Sequence, residues 1–261
     1  IRRPPGSTLF PYTTLFRSVD GSSAGYYGAI FQYSQVLTTT DMYLSQTGDA
    51  WYWMEGPPFL WVNEDMYVGY QGTHNAHFYM NTVNDLSAGL HVGYLCYVGY
   101  GGPGDFDHTN GIAEIYRLYV GQSDLGTYYL RNGRLQVNNQ IVIGNGEAGT
   151  FQQTGGVFEQ TGTNGIIMGL NTGGVGTYLM KGGELDVDHI SLAWNGDAYF
   201  TQTGGTVTTV GDVNIGCQGT HPSRSWYKLG NADGAAALNV GDDLYVGPQT
   251  LGKYEQTGGT A

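Results

Sequence analysis

Lysine and arginine are scarce in this chain: 10 among 261 residues, against 22 acids, for a formal charge of −12. Three of the ten are Arg2, Arg3 and Arg17, so beyond residue 18 the balance is 7 − 22 = −15. Phosphate binding needs clustered cations, which excludes nucleic acid as a partner and disfavours an anionic membrane surface. Cysteine is nearly absent. Cys96 and Cys217 lie in distant segments and form neither a CxxC metal site nor a disulfide framework. No apolar run approaches membrane-spanning length, so no membrane insertion is expected. The glycine-rich loops carry no GxxxxGKS sequence and open no helix, which excludes a phosphate cradle, and no cofactor is expected.

Glycine and tyrosine are abundant instead, at 44 and 21 residues. Glycine has no strict third-position period, which excludes collagen. An aromatic content of 13% argues against a disordered glycine-rich linker, because such side chains can bury surface.

The chain is organised by a repeat, clearest from Gly176 to Gly216. Each unit opens on an aromatic, turns at glycine and closes with two short alternating runs. The aromatic anchor is read as Phe31, Tyr52, Phe78, Phe106, Tyr128, Phe151, Tyr178, Tyr199, Tyr227 and Tyr254, at steps of 21 to 28 residues. The closing run recurs as Met66-Tyr67-Val68-Gly69, Leu90-His91-Val92-Gly93, Leu118-Tyr119-Val120-Gly121 and Leu244-Tyr245-Val246-Gly247. Tyr97-Val98-Gly99 reads as an extra echo, followed by an insertion from Tyr100 to Gly104; a second insertion runs from Cys217 to Ser225. Self-similarity at this period denotes a repeat architecture.

A three-residue strand with one apolar face cannot stand alone. Stacked repeats solve this, pairing equivalent strands and merging their aliphatic residues into one column. The expected fold is therefore all-β: a single-stranded parallel β-helix, right-handed, of about ten coils of about 25 residues. Gly155-Gly156, Gly182-Gly183, Gly204-Gly205 and Gly258-Gly259 are the expected corners, with Thr, Asn and Gln laddered beside them. Pro57-Pro58 replaces such a corner and must lie outside the paired strands.

Residues 1–18 do not follow the pattern. The run from Leu9 to Ser18 resembles a translated sequencing-library adapter, so residues 1–18 are expected to be non-native. The solenoid is assigned to 19–261, truncated at both ends. The aromatic, Gln-Thr-Gly-Gly, Leu-x-Val and Ile-x-Ile-Gly succession resembles the repeats of bacterial surface and secreted β-helix proteins, including autotransporter-passenger-like repeats. That resemblance implies a non-catalytic stalk, adhesin or matrix component at the cell surface or outside the cell, and no catalytic residue to carry over.

The candidate sites are few. His74 and His77, completed by Asp85 or His91, would make a metal site, but no HExxH frame supports them, and surface histidines account for the pattern. Asp186 and Asp188 flank Val187 and could do acid–base work on a glycoside or bind calcium, though a solvated strand face accounts for them; Asp242-Asp243 falls in a turn and is weighed alike. The middle of the closing strand is expected to face outward, as Tyr43, Tyr67, His91, Tyr119, Val142, Ile167, Ser191, Asn214 and Tyr245 in successive units. With Trp51, Trp53 and Trp61 this face suits a rod-to-rod contact or sugar stacking; the simpler reading is tyrosines that cover one another. The expected role is a non-catalytic extracellular structural or adhesive solenoid, associating laterally or end to end into a filament. The alternative is a β-helix that binds or degrades polysaccharide, with a glycan or cell-surface ligand.

Overall fold

The structure is a computed structural model that describes residues 18–19, 28–83, 88–216, 223–230 and 235–261. Residues 9–17, Asp85 and Cys217 lie outside them. It is an all-β solenoid of about 9 turns of ~24 residues with 61% of the described residues in strands. Every pairing among the described residues is parallel, and each coil contributes three strand positions, or walls.

The first wall is a ten-stranded sheet. Its strands are Gly28–Gln32, Ala50–Gly56, Ala76–Thr82, Gly104–Asn110, Gly126–Leu130, Ala148–Gln153, Val175–Met180, Asp197–Gln202, Arg224–Leu229 and Leu251–Gln256. The second and third walls belong to one bent 16-stranded sheet, because Gly89–Val98, Ile112–Val120 and Arg134–Ile143 run through both. Elsewhere they are separate short strands, such as Glu184–Val187 and Ile190–Leu192. The third wall reaches back to Ser18–Val19, which pairs with Tyr43 and Leu44.

Period-two alternation decides what is inside. Val175–Met180 alternates half-buried and buried along its whole length, and so does Asp197–Gln202. The inward residues of the first wall form an aromatic stack: Tyr52, Phe78, Phe106, Tyr128, Phe151, Tyr178, Phe200 and Tyr227. Their ring centroids lie 4.5 to 5.2 Å apart. In-register parallel pairing at about 4.8 Å places like side chains one above another, and offset stacking adds to their burial. Two expected anchors shift by one residue. Ile30, not Phe31, lies beside Tyr52, and Phe200, not Tyr199, lies beside Tyr178. A one-residue step reverses facing, so Phe31 and Tyr199 belong to the outer surface.

Buried phenols need partners, and this stack supplies them from the neighbouring coil. Tyr52, Tyr178 and Tyr227 donate their O–H to Gln32, Gln153 and Gln202 at 2.8, 2.7 and 2.8 Å. The amide of Gln153 donates to Gly156 O in its own coil and to Glu184 O in the next, at 3.3 and 2.9 Å. Gln202 repeats this with Gly205 O and Ala237 O. His108 occupies the same register position beneath Tyr128. Its Nε2 lies 3.1 Å from Gly111 O, a pure acceptor, so Nε2 carries the proton and Nδ1, at 3.0 Å, accepts from the Tyr128 hydroxyl. Where the next ring is phenylalanine the position is apolar: Met54 below Phe78, Met80 below Phe106, Leu130 below Phe151 and Met180 below Phe200.

Glycines hold the corners as expected. Gly144 has φ +73°, and a Cβ there would sit 2.3 Å from the Val175 carbonyl carbon. Ser45 and Ala193 adopt the same left-handed conformation without being glycine, at φ +64° and +60°. Pro57-Pro58 lies between paired strands, and the Pro58 carbonyl accepts the Gly89 N–H at 2.9 Å. Amide ladders run beside the corners: Asn171 donates to Asn145, and Asn145 to Gln122, both at 2.6 Å.

Candidate contact surface

The third wall carries a tyrosine ladder. Tyr43, Tyr67, Tyr97 and Tyr119 follow one another at centroid distances of 5.0, 5.1 and 5.2 Å with ring planes 6°, 16° and 28° apart. Tyr97 occupies the place assigned to His91. Both Leu90-His91-Val92-Gly93 and Cys96-Tyr97-Val98-Gly99 fit the closing motif, but Cys96–Val98 pairs with Met66–Val68 and Leu118–Val120. Leu90–Val92 pairs instead with Leu60–Val62 on the second wall. The supposed echo is therefore the true closing run.

Two further tyrosines follow the corner glycines Gly69 and Gly99. Tyr70 meets Tyr43 and Tyr67 edge-on at 4.7 and 5.1 Å, and Tyr100 meets Tyr67 and Tyr97 at 5.0 and 4.9 Å. Tyr67 donates its O–H to Asp65 Oδ2 at 3.0 Å, while Asp65 Oδ1 accepts the Leu95 N–H at 3.1 Å. Burial first, then the Asp65 carboxylate, raises the Tyr67 phenol well above its ordinary range; burial and the same carboxylate push Tyr97 up to about 12. Beyond Tyr119 the register position passes to Val142, Ile167 and Ser191, all buried, then to Asn214 and Tyr245.

The first wall carries a second aromatic group on its outer side. Phe31 stacks on Trp53 at 5.5 Å, Trp53 on Trp51 at 5.4 Å, and Trp51 on His77 at 4.0 Å. Charged groups succeed them along the rod: His77 approaches Asp105 at 3.3 Å, and Arg131 grips Asp107 through two bonds of 2.7 and 2.9 Å. The second wall carries Trp61, stacked on His91 at 4.1 Å and beside Phe59 at 5.7 Å. Its register partner on the other side is Thr38. Trp61 is 39% exposed.

The seven expected contact residues therefore occupy three surfaces. Tyr43, Tyr67 and Tyr119 share the third wall; Trp51 and Trp53 share the first; Trp61 stands on the second; Tyr245 is on the third wall in a distant coil. Sugar stacking needs free ring faces. Here the ladder rings cover one another's faces.

Asp186 and Asp188 have different surroundings. Asp186 is exposed on the second wall with Glu159 and Thr208 as register neighbours, while Asp188 lies beyond the strand with its carboxylate 2.9 Å from His189 Nδ1. The acid beside Asp186 is thus Glu159, which pairs with Arg134; Gln136 lies one coil further back. His74, His77 and His91 each face a separate carboxylate: Asp49, Asp105 and Glu114. Among the described residues one trio of acids gathers at a corner, Asp212, Asp242 and Asp243, with an oxygen of each within 4.8 Å of the others.

Tyr97, Tyr70, Tyr100 and Asp65 were missed as contact-surface residues in the sequence. Asp65 had a signal: Asp-x-Tyr recurs as Asp41-Met42-Tyr43, Asp65-Met66-Tyr67 and Asp243-Leu244-Tyr245. No helix among the described residues is long and apolar enough to cross a membrane. No family model, no curated protein and no solved structure matches this chain.

Proposed function

We propose that this chain is a non-catalytic extracellular rod with a structural or adhesive role, and that its aromatic coils between residues 28 and 120 make lateral contacts with other rods. One observation carries the reading. Aromatic rings on the first and third walls stack face to face, and Trp61 on the second stacks on His91, so together they offer ridged walls. The ridges repeat at the rung spacing of about 4.8 Å. A surface of that period fits another rod of the same period, with exposed Val36 and Trp61 providing apolar area. The strongly acidic composition suits a protein in contact with water.

The rival reading, a polysaccharide-binding or polysaccharide-degrading solenoid, is favoured by Trp61 alone, whose ring has only Thr38 as register partner on one side. Incubation of the chain with insoluble cellulose and chitin separates the two. The structural reading expects the protein to stay in the supernatant and no new reducing ends to appear. Depletion that disappears in Trp61→Thr, or release of reducing ends, would overturn it.

A further inference from the structure

We propose that the tyrosine ladder is a site of oxidative cross-linking, in which peroxide-derived one-electron oxidation of Tyr67, with proton transfer to Asp65, leads to a carbon–carbon bond with Tyr43 or Tyr97.

Three features of the ladder support this. The rings of Tyr43 and Tyr97 lie 5.0 and 5.1 Å from that of Tyr67 in nearly parallel planes, so two phenoxyl radicals would form already in place. Asp65 accepts the Tyr67 hydroxyl at 3.0 Å and is held there by the Leu95 N–H at 3.1 Å. An oxidised phenol is a strong acid, so an acceptor fixed on its proton lets electron and proton leave together. The rings are only half-buried, and Tyr70 and Tyr100 flank them edge-on, so six phenols of one kind share the site. Cys96, the adjacent thiol, points to the buried side of the strand.

The chemistry balances. Two phenols lose two electrons and two protons, and hydrogen peroxide takes them up to give two waters. One bond forms between ring carbons ortho to the hydroxyls. The hydrogens on those carbons then return to the oxygens, restoring both phenols, and the product is lighter by two hydrogens.

Tyr245 is an internal control. It repeats the Asp-x-Tyr bond, with Asp243 at 2.9 Å, but its ladder neighbour is Asn214. The inference does not depend on lateral contact between rods. The test treats the full chain, dilute enough to be monomeric, with hydrogen peroxide and a haem peroxidase. Dityrosine fluorescence is followed, and mass spectrometry is run after cleavage before aspartate. Asp49 and Asp85 separate Tyr43, Tyr67 and Tyr97 into different peptides. The expected product joins the Tyr67 peptide to that of Tyr43 or Tyr97 within one chain. Asp65→Asn, with its fold checked by circular dichroism, should form it several-fold more slowly, and Tyr67→Phe should abolish both Tyr67 cross-links. Cross-links spread over Tyr33, Tyr129 and Tyr245 according to exposure, no cross-link at Tyr67, or an unchanged rate in folded Asp65→Asn would each overturn the proposal.

Discussion

Tyr178 donates its buried hydroxyl to Gln153 at 2.7 Å, and the two residues belong to successive coils. The same clasp joins Tyr52 to Gln32 and Tyr227 to Gln202, whereas phenylalanine rings follow Met54, Met80, Leu130 and Met180. Among the fully buried rings from Tyr52 to Tyr227, hydroxyl and acceptor are present together or absent together, as the cost of an unpaired buried polar group requires.

Tyr178→Phe leaves Gln153 Oε1 without its donor and should cost about 1–3 kcal/mol. Adding Gln153→Met recreates the Met54–Phe78 arrangement, so the double variant should lose less than the sum of the two single losses. Urea denaturation of all four proteins measures the coupling. Additive losses would show that the clasp contributes nothing of its own.

His108 provides a pH signature. Burial lowers its pKa from 6.5 to about 4, outweighing the opposing pull of Gly111 O and Asp107. The unfolded chain therefore binds a proton between those values that the folded chain refuses. Stability contributed by neutral His108 is fully present above pH 6.5 and declines down to about pH 4, by about 3 kcal/mol in all. His108→Gln supplies the group found at the equivalent positions Gln32, Gln153 and Gln202. It should keep the Tyr128 bond and remove this part of the pH dependence, as read from urea midpoints between pH 4 and 7.

Gly144 and Gly211 should respond oppositely to alanine. At Gly144 the left-handed φ and the Val175 backbone both oppose a Cβ, so Gly144→Ala should cost at least ~2 kcal/mol. At Gly211 the nearest atom to a Cβ would be Asp188 O at 3.5 Å, an ordinary contact. Gly211→Ala should be neutral or stabilise by up to ~1 kcal/mol through the unfolded chain. Thermal melts of the two variants check both signs.

Much of the fold was legible because its causes are local. Glycine pairs mark the corners, period-two alternation marks the strands, and their recurrence implies stacking. Parity was harder to read. Tyr52 and Trp53 are both aromatic and so are Tyr199 and Phe200, yet a one-residue step separates inside from outside, and only cross-coil register fixes it. Gln32, Gln153 and Gln202 carry that information, since each sits two residues beyond the inward residue of its own coil. The outer surface was less legible. His91 and Tyr97 both stand in a run of an apolar residue, x, Val and Gly, and pairing to Trp61 or to Tyr67 is settled by how the chain crosses between walls. Trp51, Trp61 and Tyr67 could not be assigned to three different walls from composition, because side-chain facing specifies a side of a strand and not a wall of the solenoid.

Sedimentation velocity across a wide concentration range, on wild type and on Trp61→Thr, tests the proposed role most directly. Lateral contact predicts that the wild-type sedimentation coefficient rises with concentration and that Trp61→Thr weakens the rise at unchanged fold. A wild-type chain that sediments as a monomer throughout would contradict the account.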